Sequence, residues 1–164
     1  MGTIEPRKNI LGLIEAFKKS SLLVDGCSLV IAGARGWKCN SILKAIDKTP
    51  GVKYIGYVDA EDKPALYKMA SLFVYPSLYE GFGFPVLEAM ACGTPVVTSN
   101  RSSLPEVAGG AAYLINPYNV SEIARGMELI LCEDGLREIL LNNGQLTVGS
   151  FDYKQTAKEF LSLI

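Results

Sequence analysis

The sequence predicts an α/β domain in which a doubly wound parallel sheet is covered by helices on both faces. Short continuous apolar runs alternate with amphipathic helical segments along all 164 residues, as is typical of strands that are buried on both faces. The composition, with 49% hydrophobic and 20% charged residues, is that of a folded globular chain. The length fits one domain, and we therefore expect a single domain over residues 1–164.

The first predicted helix follows the stretch "EPRKN", Glu5–Asn9. Either Pro6 lies in its first turn or Asn9 is its N-cap. The apolar residues that come next have helical spacing, and they are Ile10, Leu13, Ile14 and Phe17.

Strands and helices then alternate up to residue 98, which favours βαβ units and a Rossmann-like sheet. The predicted strands cover residues 28–33, 52–58, 72–75 and 95–98, with a further candidate at 111–115. The predicted helices cover residues 41–47, 63–70 and 85–91, and the chain is expected to be mostly helical from residue 119 onward. One face of the last predicted helix carries Tyr153, Ala157, Phe160, Leu161 and Ile164.

Both ends of this pattern indicate a part of something larger. Only Met1–Ile4 precede the first helix, where a doubly wound sheet normally begins with a strand. The last predicted helix has an apolar face that needs a surface to pack on.

Composition excludes several function classes. The net charge of −1 gives no field that attracts nucleic acid or an anionic membrane. The absence of histidine removes Ser-His-Asp and Cys-His catalysis and imidazole metal sites. No apolar run approaches the ~20 residues that span a bilayer. The four cysteines have no zinc-binding spacing and predict reduced thiols in a cytosolic protein; they are Cys27, Cys39, Cys92 and Cys132.

A ligand is expected beyond the carboxyl ends of the strands, where a glycine loop precedes a helix. Gly81 and Gly83 flank Phe82 there, and free amides at a helix N-terminus bind anions or hydroxyls. The dinucleotide pattern GxGxxG fails because its last glycine is replaced. Glu80 and Glu88 add two carboxylates that can accept hydroxyl hydrogens, which suits a polyol. Alternatively, the first is a solvated loop acid and the second complements the helix dipole.

Arg7 and Lys8 precede the positive end of the first helix, which is unfavourable by a few tenths of a kcal/mol each in water. The cost is negligible if both side chains are solvated. If an anion binds there, two cations and the helix amides form a diphosphate site. An anion site and a polyol site on one face suggest a nucleotide sugar.

Four stretches of the sequence resemble the group 1 family of retaining glycosyltransferases, and the resemblance covers essentially the whole chain. They are "GTIEPRKNILGLIEAF", "LVIAGARGW", "GYVDAEDKPALY" and "YPSLYEGFGFPVLEAMACGTPVVTSNRSSLPEVAGGAAYLINPYN". The spacing E-x7-E from Glu80 to Glu88 is the most specific element. The resemblance implies one half of a GT-B architecture, namely the C-terminal donor-binding domain without the N-terminal acceptor domain.

The resemblance also implies roles for individual residues. Lys8 would neutralise the donor diphosphate and stabilise the leaving nucleotide, and Glu80 would hold hydroxyls of the transferred sugar with the backbone of Phe82 and Gly83. Glu88 would bind the ribose. Val58 would meet the base, and Gly33 would line the nucleotide pocket.

One departure from the family pattern concerns a second cation. Many members have arginine at the position of Thr3, so Arg7 or Arg35 is expected to supply that charge. Because no Asp-x-Asp occurs, we expect donor binding with no metal and no cofactor. Lys8→Ala should abolish donor binding, and Arg7→Ala should weaken it.

The expected activity is hexosyl transfer from a nucleotide-diphospho-sugar, GDP-mannose or a similar hexose donor, with retention. This fragment alone is expected to bind the donor and transfer nothing. The alternatives are a binding module without catalysis and an epimerase or phosphorylase of related architecture; a nicotinamide-dependent dehydrogenase is disfavoured by the broken glycine pattern. The expected location is the cytoplasm, or the inner face of the membrane through the other half of the protein.

Overall fold

The computed structural model describes residues 1–151, so the predicted apolar face at Tyr153, Ala157, Phe160, Leu161 and Ile164 lies outside the described residues. Five strands follow one another along the described chain: β1 Leu29–Ala32, β2 Val52–Gly56, β3 Phe73–Tyr75, β4 Val96–Ser99 and β5 Tyr113–Ile115. The α-helices of the same part are α1 Ile10–Lys19, α2 Asn40–Lys48, α3 Lys63–Met69, α4 Phe84–Ala91, α5 Leu104–Ala108, α6 Val120–Cys132 and α7 Asp134–Ser150.

All strand pairs in this part of the chain are parallel, which confirms the predicted α/β class. The pairs form two sheets, one of β1 and β2 and one with the order β3-β4-β5. The parallel sheet is therefore present in two parts rather than as one continuous sheet. Residues of both parts, from β1 and β3, line a mostly apolar cavity of about 410 Å³.

Helices cover both faces of the three-stranded sheet because neighbouring side chains point to opposite sides. On β3, Phe73 and Tyr75 belong to one apolar cluster, while Val74 packs against the other. On β4, Val96 and Val97 divide in the same way, and both are completely buried. Helices α4 and α5 supply the cluster that contains Phe73, Tyr75 and Val96, and helices α1 and α6 supply the cluster on the other face. Each fully buried valine contributes roughly 1.5–3 kcal/mol.

The start of α1 differs from the prediction. Pro6 begins a separate 3₁₀ turn, Pro6–Lys8, and Asn9 stands before α1 with a left-handed φ of 54°. The side chain of Asn9 does not cap the helix, because its amide donates to the Pro117 carbonyl at 2.6 Å. Asn9 thus occupies the N-cap position while tying α1 to the loop before α6.

The structure differs from the prediction in three further respects, apart from shifts of one or two residues at other element ends. The second strand ends at Gly56 rather than at residue 58, and the helical stretch after residue 119 divides at Glu133 into α6 and α7. Helix α5 is an element that the sequence pattern did not predict. The candidate strand at 111–115 is confirmed as β5, which begins at Tyr113.

The carboxyl ends of the first two strands meet the N-terminal residues of the chain. The Gly33 N–H donates to the Gly56 carbonyl at 2.7 Å, and the Gly2 N–H donates to the Ala32 carbonyl at 3.1 Å. Gly33 has a φ of +144°, and a Cβ there would lie 1.8 Å from the Gly2 carbonyl oxygen. Glycine is therefore required for this close approach of two backbones. Within residues 1–151, no helix combines the length and apolar character that crossing a bilayer requires.

Candidate functional site

Arg7 and Lys8 converge on the carboxylate of Glu80, although 72 residues separate Lys8 from it in sequence. The Lys8 Nζ donates to Glu80 Oε1 at 2.7 Å, and the Arg7 Nη1 donates to Glu80 Oε2 at 2.5 Å. The Nε of Arg7 also lies 2.5 Å from Glu5 Oε1. We refer to Glu5, Arg7, Lys8 and Glu80 as the charged cluster. Lys8 and Glu80 are therefore largely buried partners rather than solvated side chains, whereas the Arg7 side chain is 41% exposed.

The backbone holds the two sides of the cluster together. The Leu78 N–H donates to the Arg7 carbonyl at 2.8 Å, and the Arg7 Nη1 donates to the Tyr79 carbonyl at 3.1 Å. The 3₁₀ turn and the loop after β3 are thereby fixed next to each other.

Tyr75, the last residue of β3, lies beneath Lys8. The Lys8 Nζ donates to the Tyr75 hydroxyl at 2.5 Å and lies 4.8 Å from the centre of its ring. Burial, followed by the charge of Glu80, raises the pKa of Tyr75, so the phenol stays neutral. The ammonium is thus held between a neutral hydroxyl and a carboxylate.

Glu80 stays ionised although its side chain is only 8% exposed. Burial by itself raises the pKa of Glu80, but the hydrogen bonds from Lys8 and Arg7 outweigh burial and hold its pKa below the ordinary value of 4.5. A carboxylate kept charged in this way accepts hydrogen bonds and does not donate them.

The lowered pKa of Glu80 predicts that its contribution to the free energy of unfolding decreases in acid. Because the pKa of Glu80 is lower in the folded chain than in the unfolded chain, its contribution is fully present above about pH 4.5 and is lost as the pH falls through the native pKa. Urea unfolding of the wild type and of Glu80→Gln should give free energies that converge on acidification. A difference between the two that is independent of pH would contradict this.

Two serines before and at the start of α5 fix the loop that carries Glu80. The Ser103 hydroxyl donates to the carbonyls of Glu80 at 3.0 Å and Phe82 at 2.6 Å, and the Glu80 N–H donates to the Ser102 hydroxyl at 3.0 Å. The N–H groups of Phe82 and Gly83, in contrast, have no partner among residues 1–151. These free amides lie immediately before α4, where anions and hydroxyl oxygens are stabilised.

The two loop glycines differ in whether a residue with a side chain could replace them. Gly83 has a φ of +116°, and a Cβ there would lie 2.7 Å from Leu104 Cδ2. Gly81 has an ordinary φ, and a Cβ there would meet open space. Of the two, Gly83 is therefore the position that requires glycine.

Glu88 lies in the second turn of α4 with its side chain 38% exposed. The Tyr67 hydroxyl donates to its Oε2 at 2.8 Å, and the Lys63 Nζ lies 3.9 Å from its Oε1. Lys8 and Tyr67, the hydrogen-bond partner of Glu88, line the same cavity of about 410 Å³.

The remaining predicted residues lie at the carboxyl ends of β1 and β2. A Cβ on Gly2, which packs against Gly33, would lie 3.7 Å from the Lys8 Nζ, so Gly33 is close to the cluster. Val58 is half-buried two residues after β2. Arg35 is exposed, and its backbone pairs with Ile4. Of the two candidates for the second cation, Arg7 is the one that contacts Glu80.

Four residues that contact this site are not predicted from the sequence. Tyr67 and Tyr75 fall in a predicted helix and a predicted strand without a role of their own, and Ser102 and Ser103 carry no signal. A signal for Tyr75 exists, because a tyrosine at the carboxyl end of a buried strand needs a partner for its hydroxyl. No comparable local pattern indicates the two serines, because their partners are more than 20 residues away.

The sequence was compared with protein-family models and with known proteins, and the matches reported below are all to glycosyltransferases. A family model described as "Glycosyl transferases group 1" matches residues 1–147. The O-antigen chain mannosyltransferase B of Escherichia coli is 39% identical over 166 residues, which cover 99% of this chain and 44% of that protein. The serotype-specific mannosyltransferase WbdA of the same species is 35% identical over 163 residues, which cover 96% of this chain and 20% of that protein. The chain thus spans less than half the length of these relatives.

A crystal structure has a similar fold and a similar extent. It is the C-terminal domain of a glycosyl transferase group 1 family protein, LpcC, from Francisella tularensis. The two chains superpose with a TM-score of 0.78 at 25% identity, and the match covers 92% of this chain and 82% of that one.

Proposed function

Since the chain belongs to the group 1 family of glycosyltransferases, we propose that residues 1–164 form the donor-binding, C-terminal domain of a two-domain GT-B enzyme. The extent of the match supports this, because the chain covers 44% of one relative but 82% of an isolated C-terminal domain. The partner of this domain would then be the N-terminal acceptor domain of the same enzyme.

The observation that supports donor binding best is the set of unused donors around Glu80. Lys8 has three ammonium hydrogens, and two of them are directed at Tyr75 and Glu80. The Nη2 group of Arg7 has no partner among residues 1–151. With the free amides of Phe82 and Gly83, these groups supply charged and neutral donors for the oxygens of a diphosphate.

The same geometry suits departure of a nucleoside diphosphate. Negative charge develops on the leaving diphosphate as the bond to the sugar breaks, and fixed donors aimed at that charge stabilise the transition state. Lys8, and Arg7 beside it, would perform this role without a metal or another cofactor. Each oxygen of the Glu80 carboxylate accepts from one of the two cations, and the carboxylate as a whole would accept a hydroxyl of the sugar.

The donor we propose is GDP-mannose or a similar hexose nucleotide, because the relatives reported above are named mannosyltransferases. Glu88 would accept the ribose hydroxyls, Gly33 would line the nucleotide pocket, and Val58 would contact the base. Transfer would proceed with retention, which an NMR assignment of the product anomer from the complete enzyme would test. The enzyme would act in the cytoplasm, with any membrane contact through its other half.

Calorimetric titration of this chain with GDP, UDP and ADP, and with their hexose derivatives, tests the proposal. We expect one nucleotide to bind best and its affinity to be the same in EDTA as in Mg²⁺, since protein cations would replace the metal. Loss of binding in EDTA would contradict metal-independent recognition. If no nucleotide binds, the proposal of a donor-binding domain fails.

A further inference from the structure

Tyr67 is a buried phenol whose hydroxyl reaches the candidate site. It lies in α3, is 3% exposed and belongs to the apolar cluster beneath α4 and α5. Its hydroxyl donates to Glu88 Oε2 at 2.8 Å. Burial first, and then the hydrogen bond to Glu88, raise the pKa of Tyr67, so the hydroxyl keeps its proton and remains a donor. A buried tyrosine normally finds such a partner.

Two contacts fix Tyr67, one through its ring and one through its backbone. It meets the ring of Phe73 edge to face, with ring centres 5.2 Å apart and an interplanar angle of 86°. Its backbone carbonyl accepts a hydrogen bond of 2.7 Å from the hydroxyl of Thr94, a buried residue in the turn after α4. The position of the phenol oxygen is therefore determined by the core and not by the surface around Glu88.

This arrangement fixes a side chain that would otherwise be mobile. A glutamate that is 38% exposed samples several rotamers, and restricting a long side chain costs up to about 2 kcal/mol. Tyr67 donates to Oε2, whereas the nearest cation to Oε1 among residues 1–151 is the Lys63 ammonium at 3.9 Å. The Glu88 carboxylate is thus fixed at Oε2 by the Tyr67 hydroxyl, and Oε1 is available to accept a hydrogen bond from a ligand.

We propose that Tyr67 is a positioning residue that orients Glu88 to accept the vicinal hydroxyls of the ribose. The proposal rests on the proposed function, since it requires that a nucleotide binds here. A carboxylate fixed before the ligand arrives binds a diol more tightly, because the ordering is complete in the free protein.

The test compares Tyr67→Phe with the wild type by calorimetry. The ligands are the nucleoside diphosphate that binds best among GDP, UDP and ADP, and its 2′,3′-dideoxy form. We expect the substitution to weaken binding of the ribose form about tenfold, as for loss of one hydrogen bond to a charged group, and to leave binding of the dideoxy form within about twofold. Combining Tyr67→Phe with Glu88→Ala should add no further loss beyond that of Glu88→Ala alone.

Tyr67→Phe should fold, because phenylalanine fits the same apolar cluster and water can reach the partly exposed Glu88. Tyr113→Phe is the matched control, since the Tyr113 ring packs against Gly126 and its hydroxyl has no hydrogen bond within residues 1–151; nucleotide binding should be unchanged. Equal weakening for both ligands, or no weakening, would overturn the positioning role and leave the donor-binding proposal intact. Absence of nucleotide binding by the wild type would overturn both.

Discussion

Replacement of Lys8 by alanine is expected to abolish nucleoside diphosphate binding and to lower the free energy of unfolding by about 1–3 kcal/mol. The binding effect follows because the ammonium is the least exposed cation of the site, with a side chain 11% exposed, and its remaining hydrogen is proposed to meet the diphosphate. The stability effect follows because Glu80 would lose its 2.7 Å partner and remain charged in a buried position. Urea unfolding and calorimetry measure the two effects separately.

Two further variants make this result specific. Lys18→Ala removes an exposed lysine whose Nζ lies 3.0 Å from Glu15 on the same helix, and it should change neither measurement appreciably. Arg7→Ala should weaken nucleotide binding without abolishing it, because the Arg7 side chain is 41% exposed and Lys8 remains. Unchanged nucleotide affinity in Lys8→Ala would falsify the assigned diphosphate position.

Gly33→Ala is expected to destabilise the chain by about 3 kcal/mol or more. The new methyl group would lie 1.8 Å from the Gly2 carbonyl oxygen at a φ of +144°, so either the backbone of Met1–Ile4 or that of the loop after β1 must move. Because Gly2 lies against Lys8, nucleotide binding should also weaken. Thermal and urea unfolding, together with the calorimetric titration, measure these changes.

Gly56→Ala is the control for backbone strain at the end of the neighbouring strand. Gly56 also has a positive φ, +80°, but a Cβ there would meet nothing within 4 Å. This variant should therefore cost only about 1–2 kcal/mol and leave nucleotide binding unchanged. Similar losses of stability in the two variants would show that the approach of Gly2 to Gly33 contributes nothing.

The fold was predictable because its signals are local. The continuous apolar runs of β1, β3 and β4 and the proline in the first turn of α4 each lie within a few neighbouring residues. The missed features have nonlocal causes. Asn9 has the sequence context of an N-cap, yet its side chain bonds to Pro117, which is 108 residues away. Helix α5 has only five residues, which is too short for a clear period of apolar residues.

The composition of the candidate site was predictable, but its contacts were not. Glu80 lies between a predicted strand and a predicted helix, and Lys8 directly precedes another predicted helix, so both are expected at the edge of the sheet where ligands bind. Nothing in their spacing shows that Arg7 and Lys8 share the carboxylate of Glu80, since that pairing depends on how the 3₁₀ turn packs against the loop after β3. The buried hydroxyls of Tyr67 and Tyr75 were missed for the same reason.

The pairing in the charged cluster has an electrostatic consequence for how a ligand arrives. Its four side chains carry two positive and two negative charges within contact distance, so they cancel one another at long range. A site of this kind does not accelerate diffusional encounter in the way that an excess of one charge does. Association of a diphosphate should therefore proceed at an unsteered rate that changes little with ionic strength, and discrimination among anions would depend on the geometry of direct contact.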